Sequence, residues 1–387
     1  MEEKLNAYPL KFEPNLKTVI WGGGKIRKLK KLADAPDCIG ESWELTGVPG
    51  QESVVSNGEY AGRDIKSLLG EFGAQVVGLN TYNKYGDMFP IMVKFIDAAK
   101  DLSIQVHPDD DFAKRRHQGM GKTELWYIVS AEDNAILYSG FSHKTDENTF
   151  RSHIEHSDVV AQLNRFSPRH GDIFYLPAGR VHSIGAGNFI VEIQQSSDIT
   201  YRIYDFDRID KNGKKRELHT DLALEAIDFD EYDDYKGHLE LDRQGTALIK
   251  RCDKFVSELM RVETPMTVDV KSTGSFRILI CISGEVEIAG SNGRAACHVR
   301  HRAAPVCLGQ SCRHACRRRD CGIDIRSCGV MPLTYLFNPE NDLALAADVD
   351  RYTAPAPIRR LRADLALLPM WIAFPGSRII APADDAE

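Results

Sequence analysis

Four residues in the first half of the sequence have side chains that can bind a metal ion: Gln105, His107, Glu124 and His182. Gln105 and His107 lie two residues apart in the stretch LSIQVHPDD, so on a β-strand both side chains point to the same face. Together the four residues supply one amide oxygen, two imidazoles and one carboxylate. This set suits a borderline divalent cation such as zinc and leaves room for water or substrate oxygens.

Each of these residues, taken singly, has a simpler interpretation. LSIQVHPDD alone predicts a half-buried strand with its polar side chains outside, and His182 alone could cap the turn that follows PAG. We favour the metal site because the four donors come from three predicted strands that neighbour one another. A neutral amide ligand would leave the metal with residual positive charge, which makes it a stronger Lewis acid.

Short β-strands are the elements that must position these side chains. Five runs in residues 103–197 are rich in β-branched or aromatic residues and are punctuated by Gly, Pro or Asp: SIQVHP, ELWYIVSA, NAILYSGF, DIFYLPAG and NFIVEIQQSS. Short strands in such number are typical of an antiparallel barrel or sandwich. The fold class is therefore predicted to be mainly β, with a few helices.

Other segments have less regular patterns. Residues 157–166 and 217–232 predict helices, and residues 87–100 predict either a short helix or a buried connection. Residues 1–90 are predicted to be loop-rich, with WGGGK as a tight turn and KIRKLKK as a solvated charged face. Strand-like runs resume near residue 240 and predict a second, smaller β unit.

The composition changes sharply near residue 292. Residues 294–330 contain eight arginines and no lysine, and they show neither helical nor strand periodicity. Six of the nine cysteines lie there: Cys297, Cys307, Cys312, Cys316, Cys321 and Cys328. Our hypothesis is that the chain leaves its ancestral reading frame near residue 292 and that Met331 begins a neighbouring coding sequence. A zinc-binding module is the alternative, but the cysteine spacing contains no C-x2-C pair.

The overall charge and hydropathy exclude some classes of partner. The net charge of −7 argues against nucleic acid or an anionic membrane as the main partner. No apolar run is long enough to span a bilayer, and the first residues lack the apolar core of a signal peptide. We therefore expect a cytoplasmic protein, and its oligomeric state stays open.

The motifs around the candidate ligands resemble those of a known family. The pattern G-x5-P-x-G-x2-H at residues 171–182 is similar to the second motif of the cupin superfamily, a β-barrel (jelly roll) that presents a metal at its mouth. More narrowly, the sequence resembles the type I mannose-6-phosphate isomerase family in SIQVHPDD, GKTE, LPAGRVHSIGAG and EIQQSSDITYR. WGG and GESWEL look like the short bacterial form. The resemblance covers about residues 10–292.

This resemblance implies an activity, a cofactor and a set of site residues. The activity is zinc-dependent interconversion of mannose 6-phosphate and fructose 6-phosphate through an enediol(ate), with a small sugar phosphate as the partner and one zinc ion per chain. The zinc ligands would be the four residues above. The catalytic residues would be Lys122, Glu192 and Arg202, and Ser103 would meet the substrate phosphate.

The resemblance and the change in composition together predict how the chain is divided. Residues 1–216 would form the catalytic cupin barrel with its loop-rich start, and residues 217–292 a helical connection and the start of a second, incomplete β domain. Residues 293–330 would be irregular, and residues 331–387 an unrelated tail with one helix. The family's second domain continues with further strands past SGEVEIAG, and here the Cys- and Arg-rich segment replaces them.

Alternatives remain for the catalytic residues and for the function. Lys122 could be a solvated turn residue, Glu192 the partner of a nearby cation, and Arg202 half of a surface salt bridge to an acid of YDFDR. The even spacing predicts that Glu192 and Arg202 share one face if a single strand continues that far. The whole protein could instead be a metal-binding cupin without this turnover or with other metal chemistry, or the inactive product of a disrupted gene.

Overall fold

A computed structural model describes most of the chain before residue 291 and four short segments after it. The described residues are 4–33, 35–36, 38–209, 213–268, 273–290, 293–298, 306–309, 323–327 and 331–337. They belong to one compact unit, residues 1–340. Among these residues, none of the helices has both the length and the hydropathy that crossing a bilayer would require.

The helices are short. They are α1 (Lys25–Lys30), α2 (Ile65–Phe72), α3 (Ala74–Val77), α4 (Leu79–Tyr85), α5 (Asp110–His117), α6 (Glu147–Glu155), α7 (Thr220–Ala226) and a 3-10 helix (Val159–Gln162). The strands of the first part are β1 (Leu10–Lys11), β2 (Asn15–Gly23), β3 (Ile39–Leu45), β4 (Ile91–Asp97), β5 (Ile104–Val106), β6 (Glu124–Ser130), β7 (Leu137–Phe141), β8 (Leu163–Phe166), β9 (Asp172–Leu176), β10 (His182–Ile184), β11 (Phe189–Gln195), β12 (Tyr201–Tyr204) and β13 (Gly237–His238). The strands of the second part are β14 (Gly245–Arg251), β15 (Val256–Val262), β16 (Met266–Val268), β17 (Arg277–Cys281), β18 (Glu285–Gly290), β19 (Gly293–His298), β20 (Val306–Gly309), β21 (Ile323–Ser327) and β22 (Met331–Phe337).

Two antiparallel sheets form the barrel that holds the candidate ligands. One has seven strands in the order β13-β9-β6-β11-β4-β3-β2, and the other has five in the order β12-β5-β10-β7-β8. Their facing sides share one buried apolar cluster, in which Trp126 and Phe174 of the larger sheet join Leu137 and Ile184 of the smaller. The mainly β prediction of a cupin-type barrel with few helices is therefore confirmed.

The outer faces of both sheets are also covered. Helices α6 and α7 pack on the five-stranded sheet, where Phe150 and Leu224 join Ile104 and Val106. The outward side chains of the seven-stranded sheet belong to the largest apolar cluster, which contains residues of α2 and of β15 and β17 as well. The larger sheet is thus buried on both faces and forms a central layer.

A second β unit follows β13. Strands β14 to β22 and β1 form a six-stranded sheet in the order β1-β20-β17-β22-β15-β14 and a four-stranded sheet in the order β16-β21-β18-β19. The strands predicted in LMRVETPMTVDV and FRILICISGEVEIAG are present as β15 to β18. The five strands predicted in residues 103–197 are present as well, as β5, β6, β7, β9 and β11.

Residues 87–100 contain strand β4 (Ile91–Asp97) and no helix, so the helix considered for them is wrong. Strand β4 lies between β3 and β11, and all seven of its residues are buried. A strand that is buried on both faces carries a continuous apolar run. The alternation that marks a half-exposed strand is then absent, and a short buried helix has the same signature.

The helix predicted at residues 157–166 is also wrong. A single 3-10 turn is followed by β8, which pairs with β7. The helix of this region is α6, which begins earlier, where the Asp146 carboxylate accepts a hydrogen bond of 2.8 Å from the Thr149 N–H as its N-cap.

The first ninety residues contain more regular structure than the loop-rich prediction allowed. The segment predicted as a solvated charged face is α1, in which Lys30 is buried with its Nζ 2.6 Å from Glu44 Oε1. WGGGK is the end of β2 rather than a tight turn. A Cβ on Gly22 would lie 2.4 Å from the backbone of Cys38 and Gly40, so glycine permits the close approach of β3.

Most of residues 293–387 lies outside the described residues. Three short strands, β19 to β21, lie within residues 293–327, where the sequence shows no strand periodicity. Strand β22 (Met331–Phe337) lies in the stretch predicted as an unrelated tail. The helix predicted in the tail and the cysteine spacing lie outside the described side chains. The boundaries at residues 216, 292 and 330 and the reading-frame hypothesis therefore stay predictions.

Candidate metal centre and active site

The four candidate ligands meet inside the barrel. Gln105 lies on β5 and His107 directly after it, while Glu124 and His182 are the first residues of β6 and β10. Because β10 pairs with β5, His182 is directly opposite Gln105. Glu124 comes from the facing sheet, so the site lies between the two layers.

The donor atoms surround one point. Glu124 Oε2 lies 3.4 Å from His107 Nε2, and Glu124 Oε1 lies 3.3 Å from His182 Nε2. All donor atoms of these three residues lie within 4.8 Å of one another. The Gln105 amide is 3.2 Å from His182 Nε2, and a half-turn of its planar group would present Oε1 to the same point.

Backbone carbonyls orient both imidazole rings. His107 Nδ1 lies 2.9 Å from the Ile199 carbonyl oxygen, and His182 Nδ1 lies 2.9 Å from that of Arg180. Each Nδ1–H donates to its carbonyl, so each Nε2 is unprotonated and presents its lone pair to the centre. Burial, helped by the charge of Lys122, lowers the pKa of His107 to about 3, and burial also lowers the pKa of His182. Both rings are therefore neutral, which is the form that binds metals.

Glu124 is the buried carboxylate at the centre of this donor set. It is fully buried, and neither of its carboxylate oxygens accepts a hydrogen bond from any residue of the described part. Burial raises its pKa, but Lys122 and the two neighbouring histidines together outweigh burial and hold the pKa well below its usual range. A buried carboxylate is costly unless positive charge accompanies it. Lys122 Nζ, 3.1 Å from Oε2, supplies one such charge, and the carboxylate with the two imidazoles beside it forms a donor set that fits a divalent metal.

Lys122 lies beside the ligands and is not a solvated turn residue. Its Nζ is 3.0 Å from His107 Nε2 and 3.1 Å from Glu124 Oε2, and the side chain is buried. Ser103 is buried at the start of β5, where its hydroxyl donates to Gln105 Oε1 over 3.3 Å. Both residues can therefore reach a molecule that binds at the metal.

Glu192 faces the barrel interior from β11 and has a cationic partner. Its Oε1 lies 3.2 Å from Lys94 Nζ, and its Oε2 accepts a hydrogen bond of 2.9 Å from the Trp126 indole N–H. Burial raises the pKa of Glu192, although Lys94 opposes the rise. Lys94 was missed in the sequence, and its only signal was a single lysine inside the apolar run IMVKFI.

Arg202 does not share a strand with Glu192, so that expectation is wrong. Strand β11 ends at Gln195, and β12 begins at Tyr201 in the other sheet. Register nevertheless places Arg202 directly opposite Gln105, on the face that carries His182. The chain therefore crosses between the layers and brings Arg202 to the site from the opposite sheet.

The Arg202 guanidinium is partly committed to the backbone. Its Nη1 donates to the Glu217 carbonyl over 2.8 Å, and its Nε is buried without a hydrogen-bond partner among the described residues. The surface salt bridge considered for it does not form, because Asp205 binds Arg208 and Arg216 instead. An unsatisfied buried N–H of a cation is available to an anionic ligand.

The chain is similar to known proteins over much of this region. The family model for the type I phosphomannose isomerase catalytic domain matches residues 10–153. A probable mannose-6-phosphate isomerase of Bacillus subtilis is 40% identical over 222 residues, which are 57% of this chain and 69% of that protein. A mannose-6-phosphate isomerase of Streptococcus mutans is 38% identical over 221 residues, or 57% of this chain and 68% of its own length.

Solved structures show the same architecture. The crystal structure of mannose 6-phosphate isomerase from Bacillus subtilis superposes with a TM-score of 0.69 at 26% identity and covers 85% of this chain and 99% of that chain. A putative mannosephosphate isomerase from Archaeoglobus fulgidus gives a TM-score of 0.67 at 19% identity, with 87% of this chain and all of that chain covered. The second of these likenesses bears on the fold alone.

Proposed function

The chain belongs to the type I phosphomannose isomerases, and from this premise we propose that it is a zinc-dependent isomerase of mannose 6-phosphate and fructose 6-phosphate. The observation that supports this most directly is the buried cluster of the Glu124 carboxylate and two neutral histidines, whose donor atoms all lie within 4.8 Å of one another. Gln105, His107, Glu124 and His182 would hold one zinc ion per chain. A cytoplasmic location is part of the same proposal.

The reaction needs two proton transfers and a way to hold negative charge. From aldose to ketose, the proton on C2 moves to C1, and the hydroxyl proton on O2 moves to O1. When bound, the metal supplies positive charge close to the sugar oxygens, where negative charge develops. The side chains around it must supply the base, a hydrogen-bond donor to the oxygens and a site for the phosphate.

We assign these roles to the residues that surround the centre. Glu192 takes the proton from C2 on a carboxylate oxygen and returns it to C1, and its raised pKa brings it closer to neutral pH. Lys122 donates a hydrogen bond to a sugar oxygen from a buried position next to Glu124. Arg202 keeps its proton and acts as an electrostatic clamp on the enediolate or the phosphate.

Ser103 completes the substrate site. Ser103 lies two residues before Gln105, and its hydroxyl contacts the Gln105 side chain. In the complex this hydroxyl would donate a hydrogen bond to a phosphate oxygen of the substrate. The solvated-turn alternative for Lys122 does not agree with its burial, and the partly buried Arg202 donates to the Glu217 carbonyl rather than to an acid of YDFDR. Glu192 does have a cationic partner, Lys94, and its catalytic role rests on its place on the inner barrel face beside Trp126.

Turnover of mannose 6-phosphate by the full chain tests the proposal. We expect activity in the zinc-loaded protein, loss of activity after chelation and recovery when zinc is restored. A Lys122→Met variant should bind zinc but turn over at least about a hundredfold more slowly, because it keeps the ligands and loses the donor. A folded, zinc-loaded wild-type chain without turnover would contradict the proposal and favour a metal-binding cupin without this activity.

A further inference from the structure

The start of β6 is held in place by a side chain outside the metal centre. Asp110 Oδ1 accepts hydrogen bonds from the Gly121 N–H over 2.9 Å and from Gln195 Nε2 over 2.8 Å. Gln195 Oε1 in turn accepts from the Thr123 N–H over 3.0 Å. Segment 121–124, which carries Lys122 and Glu124, is therefore fixed at two of its backbone amides by one carboxylate and one amide.

The second oxygen of Asp110 is held by the second β unit. Lys254 lies in the turn between β14 and β15, and its Nζ is 2.6 Å from Asp110 Oδ2. The same Nζ is 2.7 Å from Asp253 Oδ2, and the Asp253 carbonyl accepts a hydrogen bond of 3.1 Å from Lys84. The turn is thus anchored by further contacts and presents Lys254 at a defined place.

The two oxygens of Asp110 have different tasks. Oδ1 points to segment 121–124, and Oδ2 points to Lys254. In this ion pair, 19% of the Lys254 side chain and 44% of the Asp110 side chain are exposed. A carboxylate anchored at both oxygens cannot rotate without losing a charged hydrogen bond. Without Lys254, rotation of Asp110 would release the Gly121 N–H and let the backbone before Lys122 move.

We propose that Lys254 is a positioning residue of the second β unit that acts through Asp110 and Gln195 on Lys122 and Glu124. The inference rests on the proposed metal site and adds a dependence of that site on a residue of the second β unit that contacts the barrel. Partners that orient metal ligands from outside the coordination sphere affect metal affinity by about ten- to a hundredfold. Lys254 acts one step further out, so its effect lies at the lower end of that range.

The test compares three variants of the full chain: Lys254→Met, Lys254→Arg and Lys236→Met. Lys236 is the matched control because its Nζ makes a similar ion pair of 2.7 Å with Asp172, at the end of β9 that pairs away from Glu124. We measure the zinc dissociation constant by competition with a chromophoric chelator, the absorption spectrum of the cobalt-substituted protein, and kcat and KM.

We expect the Lys254→Met variant to bind zinc about tenfold more weakly and to show an altered cobalt spectrum. Its kcat should fall with little change in KM, because Lys122 is displaced while Ser103 is not. Lys254→Arg should restore zinc affinity to within about threefold, because arginine keeps the charge and the reach. Lys236→Met should lose stability with zinc affinity and spectrum unchanged. Asp110→Asn and Lys254→Met combined should lose no more affinity than Asp110→Asn alone.

Three other results would contradict the role of Lys254, the proposed function or the route through Asp110. Suppose that the wild-type chain binds zinc and turns over, and that Lys254→Met matches Lys236→Met in zinc affinity, cobalt spectrum and kcat. This result overturns the inference about Lys254 and leaves the proposed function standing. A wild-type chain that binds no zinc overturns the proposed function and this inference with it. Additive losses in the double variant would show that Lys254 acts by a route other than Asp110.

Discussion

Glu124 dominates the electrostatics of the site at the scale of single residues. Its buried oxygens accept no hydrogen bond within the described part of the chain and have only an ion pair with Lys122 there, so a bound divalent cation should stabilise the folded chain strongly. At zinc about a thousandfold above its dissociation constant, binding adds roughly 4 kcal/mol to the free energy of unfolding. A Glu124→Gln variant should lose most of this gain and most of its bound zinc, as measured by thermal unfolding with and without zinc and by metal analysis.

The exposed Glu225 provides the control for this prediction. Its carboxylate pairs with Arg116 on the surface, 2.8 Å from Nη2, so Glu225→Gln should leave zinc binding and the zinc-induced shift unchanged. An equal zinc-induced gain in Glu124→Gln and in the wild type would show that this carboxylate is no ligand.

The candidate ligands could be predicted from the sequence, whereas their supporting partners could not. Gln105 and His107 follow from the two-residue period of a strand, which is a local property. Lys94 meets Glu192 only because β4 pairs with β11, and Lys254 meets Asp110 only because the second β unit packs on the barrel. Contacts of this kind depend on sheet order and packing, and a local pattern contains neither.

At the scale of elements, the turn that leads into β6 leaves no space for a side chain at Gly121. A Cβ on Gly121 would lie 2.5 Å from the backbone of Asp109 and Asp110, so an alanine there must displace main chain. We expect Gly121→Ala to lower the free energy of unfolding by about 1–3 kcal/mol and to weaken zinc binding, because Lys122 and Glu124 move with the turn. Denaturant unfolding and a zinc titration measure the two effects.

Gly119 is the matched control two residues earlier in the same loop. A Cβ there would meet its nearest neighbour, Ile199 Cδ1, at an ordinary 3.5 Å. Gly119→Ala should therefore keep stability and zinc affinity close to those of the wild type. If the two alanine variants behave alike, the tight packing at Gly121 has no role in placing Glu124.

The attachment of β13 to β9 should depend on pH through Asp172. Its buried carboxylate accepts hydrogen bonds from the Arg169 N–H over 2.9 Å and binds Lys236 and His238 at 2.7 and 2.8 Å. Burial raises the pKa of Asp172, but Lys236 and His238 outweigh burial and lower it below its usual value. A lowered folded-state pKa stabilises the fold above the unfolded-state pKa of about 3.9, and this stabilisation is lost as the pH falls through the folded-state pKa.

We therefore expect Asp172→Asn to cost about 2 kcal/mol at pH 7, since the charged hydrogen bond to Lys236 is lost while the Lys236 and His238 side chains can still reach water. The difference between wild type and variant should shrink below about pH 4. Urea unfolding at pH 7, 5 and 3.5 measures it, with the exposed Asp242→Asn as a control of unchanged stability. A stability difference between wild type and Asp172→Asn that grows towards acid pH would contradict the expected direction of the pH dependence.

At the scale of the whole molecule, the barrel and the second β unit share a core. Glu124 and Trp126 of β6 face the barrel interior, while the alternate residues Leu125 and Tyr127 belong to the cluster that includes Phe276 of the second unit. The alternation that places the metal ligand therefore also attaches the barrel to the second unit. We expect the two parts to unfold in one cooperative transition.

Phe276 provides the test of this shared core. It is fully buried, and its ring centroid lies 5.0 Å from that of Phe89. Phe276→Ala should cost about 3–5 kcal/mol and shift zinc release and loss of secondary structure together to lower urea. Leu248→Ala, at a side chain that is 54% exposed on β14, should change stability by less than about 0.5 kcal/mol. In the contrary case, zinc release would keep the wild-type urea midpoint while part of the circular dichroism signal is lost at lower urea. The two signals would then report separate transitions, and the barrel would be stable without the second β unit.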